Sequence, residues 1–117
     1  MEIRIIEKPI SRDELRSLAQ EGFGEMVKVV VDIEKGIMAA GGELHADEEA
    51  VLLEGGSEPN NLWGINLYPG IPDDTWLEFN SMINIRPSQN NRSRSVENEE
   101  TQAQIKGIVD RLVTAKE

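Results

Sequence analysis

The spacing of hydrophobic positions changes several times along the chain, and each change marks an element. Ile3, Ile5 and Ile6 around Arg4 predict a short strand, stopped by Pro9, whose ring removes a backbone donor. A helix follows. Ser11 with Glu14 three residues on is a capping box, Ile10 stands where a hydrophobic staple to Leu15 belongs, and Leu15, Leu18 and Ala19 form a stripe that Gly22 or Gly24 ends. From Val27 the period drops to two, with Val27, Val29, Val31 and Ile33 alternating against Lys28 and Asp32. A hairpin is therefore expected, turning at Glu34-Lys35-Gly36 and returning over 37 to 44. Ala39, Ala40, Gly41 and Gly42 carry little side chain, which predicts close approach of a neighbouring element.

The stretch "HADEEAVLLEGG" predicts a short helix capped by Asp47, with Glu48 and Glu49 at the positive end of its dipole, Gly55 as terminator, and Val51 and Leu52 or Leu53 facing inward. After the loop "GSEPNN" come a strand, "LWGINLYPG", a turn at "IPDD", and the longest strand candidate, "TWLEFNSMINIR". There Leu77, Phe79, Ser81, Ile83 and Ile85 share one face, while Trp76, Glu78, Asn80, Met82, Asn84 and Arg86 share the other. From about Asn98 to Lys116, Ile105, Ile108, Val109 and Leu112 recur at helical spacing behind Glu99 and Glu100, as in an amphipathic helix docked by one side. The resulting order, βαββαββα, predicts an α+β class: one domain over residues 1–117, with a mostly antiparallel sheet and helices packed on one face.

Charge narrows the function classes. The 117 residues carry 12 basic and 22 acidic side chains, a net charge of −10, and that field repels nucleic acid. A nucleic-acid partner is not expected, and a toxin-like ribonuclease on a small α+β fold would have to overcome the repulsion. The absence of cysteine removes disulfides, thiol nucleophiles and thiolate metal sites, and fits a reducing compartment. "MEIRIIEKPI" lacks the continuous apolar core of a signal peptide, and no later run approaches the ~20 apolar residues of a membrane span. A cytoplasmic protein with no membrane partner is the expectation. No Gly-rich phosphate loop with a lysine, dinucleotide fingerprint, nucleophile elbow or haem signature occurs, so the sequence names no cofactor.

The charges are also unevenly distributed. Between Lys35 and Arg86 there is no cation, while that interval holds Glu43, Asp47, Glu48, Glu49, Glu54, Glu58, Asp73, Asp74 and Glu78. From Phe79 to Val96 the sign reverses, with Arg86, Arg92 and Arg94 and no acid, directly ahead of the last helix. An arginine fork matches carboxylate or phosphate geometry, amides and hydroxyls add neutral donors, and a following helix start offers free N–H groups.

Two readings stay open. In one, Arg86, Gln89, Asn91, Arg92, Arg94 and Ser95, with Asn84 and Asn66 from the strands, bind a small phosphate- or carboxylate-bearing ligand. In the other, the arginines pair with the protein's own carboxylates or with an acidic protein surface, as in a homodimer where this loop meets the 43 to 58 region of a second copy. Asn66, Asn80 and Asn84 in strands, where asparagine is depleted, fit either a ligand cleft or a sheet face covered by a loop.

His45 is the single histidine. Glu43, His45 and Asp47 alternate, so they are the candidates for a divalent ion, and His45 and Glu78 are the candidates for acid–base work; capping or packing is the structural alternative. The segments "VVDIEKGIMAAGGELHADEEAVLLEGGS", "LWGINLYP" and "INIRPSQNNRSR" together resemble a family of small, mostly bacterial proteins known only as a domain of unknown function. The resemblance covers nearly the whole chain and implies a stand-alone domain. It brings no activity, substrate or site residue with it.

Overall fold

A computed structural model describes residues 2–114. Its elements are β1 (Arg4–Ile6), β2 (Ile10–Ser11), α1 (Arg12–Glu21), β3 (Val27–Asp32), β4 (Ile37–Ala40), α2 (His45–Glu54), β5 (Leu62–Leu67), β6 (Leu77–Glu78), α3 (Glu99–Leu112) and β7 (Val113–Thr114). The predicted order is present, with two-residue strands β2 and β7 added, and the class is α+β. Five strands form one sheet in the order β1-β4-β3-β5-β6, every neighbouring pair antiparallel. β2 and β7 form a separate parallel pair that joins Ile10 to Val113.

The sheet needs cover on both sides because its two central strands are buried runs, "VKVVVD" and "LWGINL", rather than apolar on alternate positions only. Val27, Val29, Val31, Trp63, Ile65 and Leu67 pack with Leu15 and Ala19 of α1 and with Ile105, Ile108, Val109 and Leu112 of α3. Val30, Ala39 and Leu62 point the other way and meet Leu52 of α2, with Ile83 against them. The helices therefore lie on both faces, not on the single face that the sequence pattern predicts.

Local signals explain where the elements start and stop. Ser11 Oγ accepts from the Glu14 N–H at 3.0 Å and opens α1. The β3–β4 turn is held by Asp32, whose Oδ1 accepts from the Glu34 and Lys35 N–H groups at 2.9 Å each, with Gly36 at φ +69. β4 stops at Ala40, and a Cβ on Gly42 would lie 2.9 Å from Glu48 Cγ, so the small residues do mark a close approach, that of α2.

Other boundaries differ from expectation. α2 begins at His45 rather than behind Asp47; Leu44 is its N-cap and offers no side-chain bond. Its inward face is His45, Glu48 and Leu52, so Glu48 is buried instead of facing the solvent at the helix start. The long strand expected from Thr75 to Arg86 is only β6, flanked by 3-10 turns at Asp74–Trp76 and Met82–Asn84. Ser81 turns the chain there, its Oγ accepting from the Ile83 N–H at 3.2 Å. α3 ends at Leu112, and residues 115 and 116 of the predicted helix lie outside the described residues.

Candidate functional site

The arginine-rich loop is built around Asn91, which is buried. Its Nδ2 donates to the carbonyls of Asn84 at 2.7 Å and Ser95 at 2.7 Å, and its Oδ1 accepts from the Glu97 N–H at 2.8 Å. Arg86 and Asn91 exchange backbone bonds of 2.7 and 3.1 Å, which closes the turn. Arg86 then reaches back over the sheet: Nη1 donates to the Pro59 carbonyl at 2.6 Å, Nη2 to that of Leu62, and the guanidinium stacks 4.2 Å from the Trp63 ring centroid. Gln89 Nε2 holds the adjacent Asn60 carbonyl at 3.1 Å. These donors are engaged within the chain.

The loop's backbone amides are engaged too. Glu97 accepts from the N–H groups of Arg92 at 3.0 Å and Ser93 at 2.8 Å. The hydrogen bonds from Ser93, with a smaller contribution from Arg92, hold the Glu97 carboxyl below its ordinary pKa. The start of α3 is closed by Asn98, whose Oδ1 accepts from the Thr101 N–H at 3.0 Å. The place where an external anion was expected is thus filled by the chain's own carboxylate and cap. Arg92 is exposed, and Ser95 N–H turns to Ser93 Oγ at 3.3 Å.

Arg94 goes elsewhere. Its carbonyl accepts from the Ser81 N–H at 3.0 Å and from Asn84 Nδ2 at 2.9 Å, which fixes the residue against the sheet edge. From there it joins Lys28, His45, Ala46, Asn66, Tyr68, Glu78, Asn80 and Ser81 around a cleft of about 430 Å³, with Met26, Leu44, Met82 and Ile83 completing the wall. The floor is one row across the sheet, since Lys28 of β3 faces Asn66 of β5, and Asn66 faces Glu78 of β6. Of the residues singled out in the sequence, Asn66, Asn80, Arg94, His45 and Glu78 come together here, whereas Asn84, Arg86, Gln89, Asn91, Arg92 and Ser95 do not.

Hydrogen bonds set the character of each group. Asn66 Nδ2 donates to Glu78 Oε1 at 2.9 Å and to the Asn80 carbonyl at 3.2 Å, and the Tyr68 hydroxyl donates to Glu78 Oε1 at 3.2 Å. His45 Nε2 lies 2.7 Å from the Ile65 carbonyl, which can only accept, so Nε2 carries the proton and Nδ1 is left as a lone pair. Burial, the largest cause, pushes the His45 pKa below its ordinary value, Lys28 and Arg94 push the same way, and hydrogen bonding to the Ile65 carbonyl and the Asn66 side chain opposes them. The imidazole is neutral at neutral pH.

Glu43 and Asp47 are exposed and do not join His45, and among the described residues no group of three His, Cys, Asp or Glu side chains is placed to hold a metal. Lys28 had no sequence signal beyond being a polar position in a β-branched strand. Its role becomes visible only once β5 and β6 are known to lie on the same side of β3.

A five-stranded antiparallel sheet between α1 and α3 on one side and α2 on the other, with a cation-bearing cleft at its β5–β6 edge, defines a small α+β protein. The family model for DUF5674, described as a protein of unknown function, matches residues 4–112, and the chain belongs to that family. No curated protein and no solved structure matches the chain. Among the described residues no helix is long and apolar enough to cross a membrane.

Proposed function

We propose that the chain binds a small anionic ligand, phosphate- or carboxylate-bearing, in the cleft between the start of α2 and the β5–β6 edge. One observation carries this reading. In a chain of net charge −10, Lys28 and Arg94 line one cleft, and the ion pairs among the described residues, Arg4–Glu14 and Arg16–Asp13, involve neither of them. Glu78, the carboxylate of the cleft, is occupied by Asn66 and Tyr68. Two further features support the reading. α2 has no side-chain cap, so its positive end and its first N–H groups at His45 and Ala46 border the cleft. His45 adds a neutral acceptor for a ligand hydroxyl or a water.

Thermal denaturation in inorganic phosphate and in chloride at matched ionic strength tests the proposal. Phosphate is expected to raise Tm by a few degrees in the parent chain and not in Lys28→Ala or Arg94→Ala; equal Tm values in the two salts contradict it.

Arg92 favours a second reading. It is exposed, lies outside the cleft and makes no ion pair among the described residues, while Glu43, Asp47, Glu54 and Glu58 are exposed acids that it could meet in a second copy. Sedimentation at low salt would then show a dimer that Arg92→Glu weakens.

A further inference from the structure

The same cleft carries an apolar rim. Among the described residues the exposed large hydrophobics are Met82 at 65%, Leu44 at 56%, Phe23 at 48%, and Ile5, Leu53 and Ile85 at 38% each. The two most exposed both line the cleft. The third, Phe23, borders it through Lys28, whose Nζ lies 5.4 Å from the Phe23 ring centroid. Met26 and Ile83 continue the apolar wall. Single exposed hydrophobics are ordinary on a protein surface; the gathering of the two most exposed around one concavity lined by Lys28 and Arg94, with the third beside Lys28, is what calls for an occupant.

Local structure does not demand these side chains. Leu44 is the N-cap of α2, a position that favours Ser, Thr, Asp or Asn, and it forgoes the cap bond such a residue would make. Met82 opens a 3-10 turn already capped by Ser81, so any polar residue would serve there as well. Leu44 gives up a local advantage and Met82 gains none, yet both place a flexible apolar group over the cleft, and methionine in particular adapts to ligands of varied shape.

We infer that the ligand is an amphiphilic anion: a carboxylate or phosphate held by Lys28 and Arg94, carrying a hydrocarbon body that Leu44 and Met82 cover. This rests on the anion-binding reading above and adds to it the chemical class of the ligand. The occupant is a small molecule. A cleft of about 430 Å³ lies in the range of small-ligand sites, whereas three exposed apolar side chains fall well short of the ~800 Å² per partner of a stable protein interface.

The experiment is a nitrogen-15 NMR titration of the full chain with the linear carboxylates acetate, butyrate and hexanoate, and with inorganic phosphate as a headgroup probe. Affinity is expected to rise with each added methylene, by up to about fourfold where the methylene is fully covered, with shifts centred on Leu44, Ala46 and Met82. In a Leu44→Ala, Met82→Ala double variant, which shortens both apolar groups without capping α2, the gain with length is expected to vanish while acetate and phosphate still bind. Both positions are exposed, so the variant is expected to fold, and its melting curve checks that.

Hexanoate binding no tighter than acetate removes the amphiphile and leaves the anion reading standing. A gain with length that persists in the double variant removes it equally. No binding of any carboxylate or of phosphate removes both readings.

Discussion

The side chain of Asn84 holds the backbone of Gly64 at both of its polar groups, accepting from the Gly64 N–H at 2.8 Å and donating to its carbonyl at 2.9 Å. Gly64 lies on β5, paired with Val30 of β3 on one side, and on the other side the amide stands where the next strand would have been. Arg86 does the same two residues earlier by taking the Leu62 carbonyl, and β6 supplies a true strand partner only from Asn66 onward. The edge of β5 is therefore closed by two side chains and a two-residue strand, which shields it from pairing with another chain. Asn84→Ala leaves both Gly64 groups without this partner in a buried place, while the Arg94 carbonyl keeps the Ser81 N–H. At roughly 1–3 kcal/mol for each buried group left unsatisfied, a loss of at least about 2 kcal/mol is expected by urea denaturation; a loss below ~1 kcal/mol contradicts the assignment.

Gly64 itself is required by space. A Cβ there would stand 2.6 Å from both Cβ and Oγ of Ser81 and 3.2 Å from Cδ2 of His45. Gly64→Ala is expected to cost about 1–3 kcal/mol through overpacking. Adding Ser81→Gly, which removes the opposing atoms, is expected to recover part of that loss in a double-mutant cycle, and strict additivity of the two costs would deny the contact.

Arg86 and Arg12 use one device at two places. Arg86 stacks on Trp63 and holds the carbonyls of Pro59 and Leu62; Arg12 stacks 3.9 Å from the Trp76 centroid and holds those of Pro69 and Ile71. Burial lowers both arginine pKa values from the ordinary one, yet a guanidinium stays charged. Arg86→Lys keeps the charge and loses the fork and the stack, so a cost of about 1–2 kcal/mol is expected. An unchanged urea midpoint would mean that charge alone matters at this position.

Much of this frame is legible in the sequence. The capping box at Ser11, the alternation through Val27 to Val31 and the helical spacing of Ile105, Ile108, Val109 and Leu112 each locate an element, because each is a local pattern serving a local structure. The 75 to 86 stretch misleads for the opposite reason. Leu77, Phe79, Ile83 and Ile85 alternate as in a strand, but Ser81 and Asn84 replace main-chain pairing with side-chain bonds, which the pattern of apolar positions does not register. In α2 hydrophobic spacing finds the inward Leu52 and misses His45 and Glu48, which share its face but are polar. The arginine loop is visible as a run of cations, yet its targets, the carbonyls at 59 to 62 and the carboxylate of Glu97, depend on the fold. Only Arg94 of the three reaches the cleft.

Glu48 gives the chain a pH dependence of its own. It is fully buried, one oxygen accepts from the Gly42 N–H at 2.8 Å and the other has no partner among the described residues; burial, the largest cause, pushes its pKa up to about 9 from an ordinary 4.5. The folded chain keeps this proton where the unfolded chain releases it. Stability therefore falls as pH rises from about 4.5 to about 9 and levels off above that, with a loss of roughly 3 kcal/mol at pH 7. Glu48→Gln retains the acceptor for Gly42 and removes the titration. In chemical denaturation across that window its advantage over the parent chain is expected to grow with pH; parallel curves contradict a buried protonated carboxyl.

The central claim, that the cleft bounded by Lys28 and Arg94 receives an anion, is tested most directly by following backbone amides while inorganic phosphate is added to the nitrogen-15-labelled chain. The account predicts saturable shifts at His45, Ala46, Asn66 and Arg94, little change at Arg92 and Glu97, and loss of these shifts in Arg94→Ala with the rest of the spectrum preserved. Shifts gathered at Arg92 and Glu97 instead, shifts that survive Arg94→Ala, or no shifts at all would contradict it.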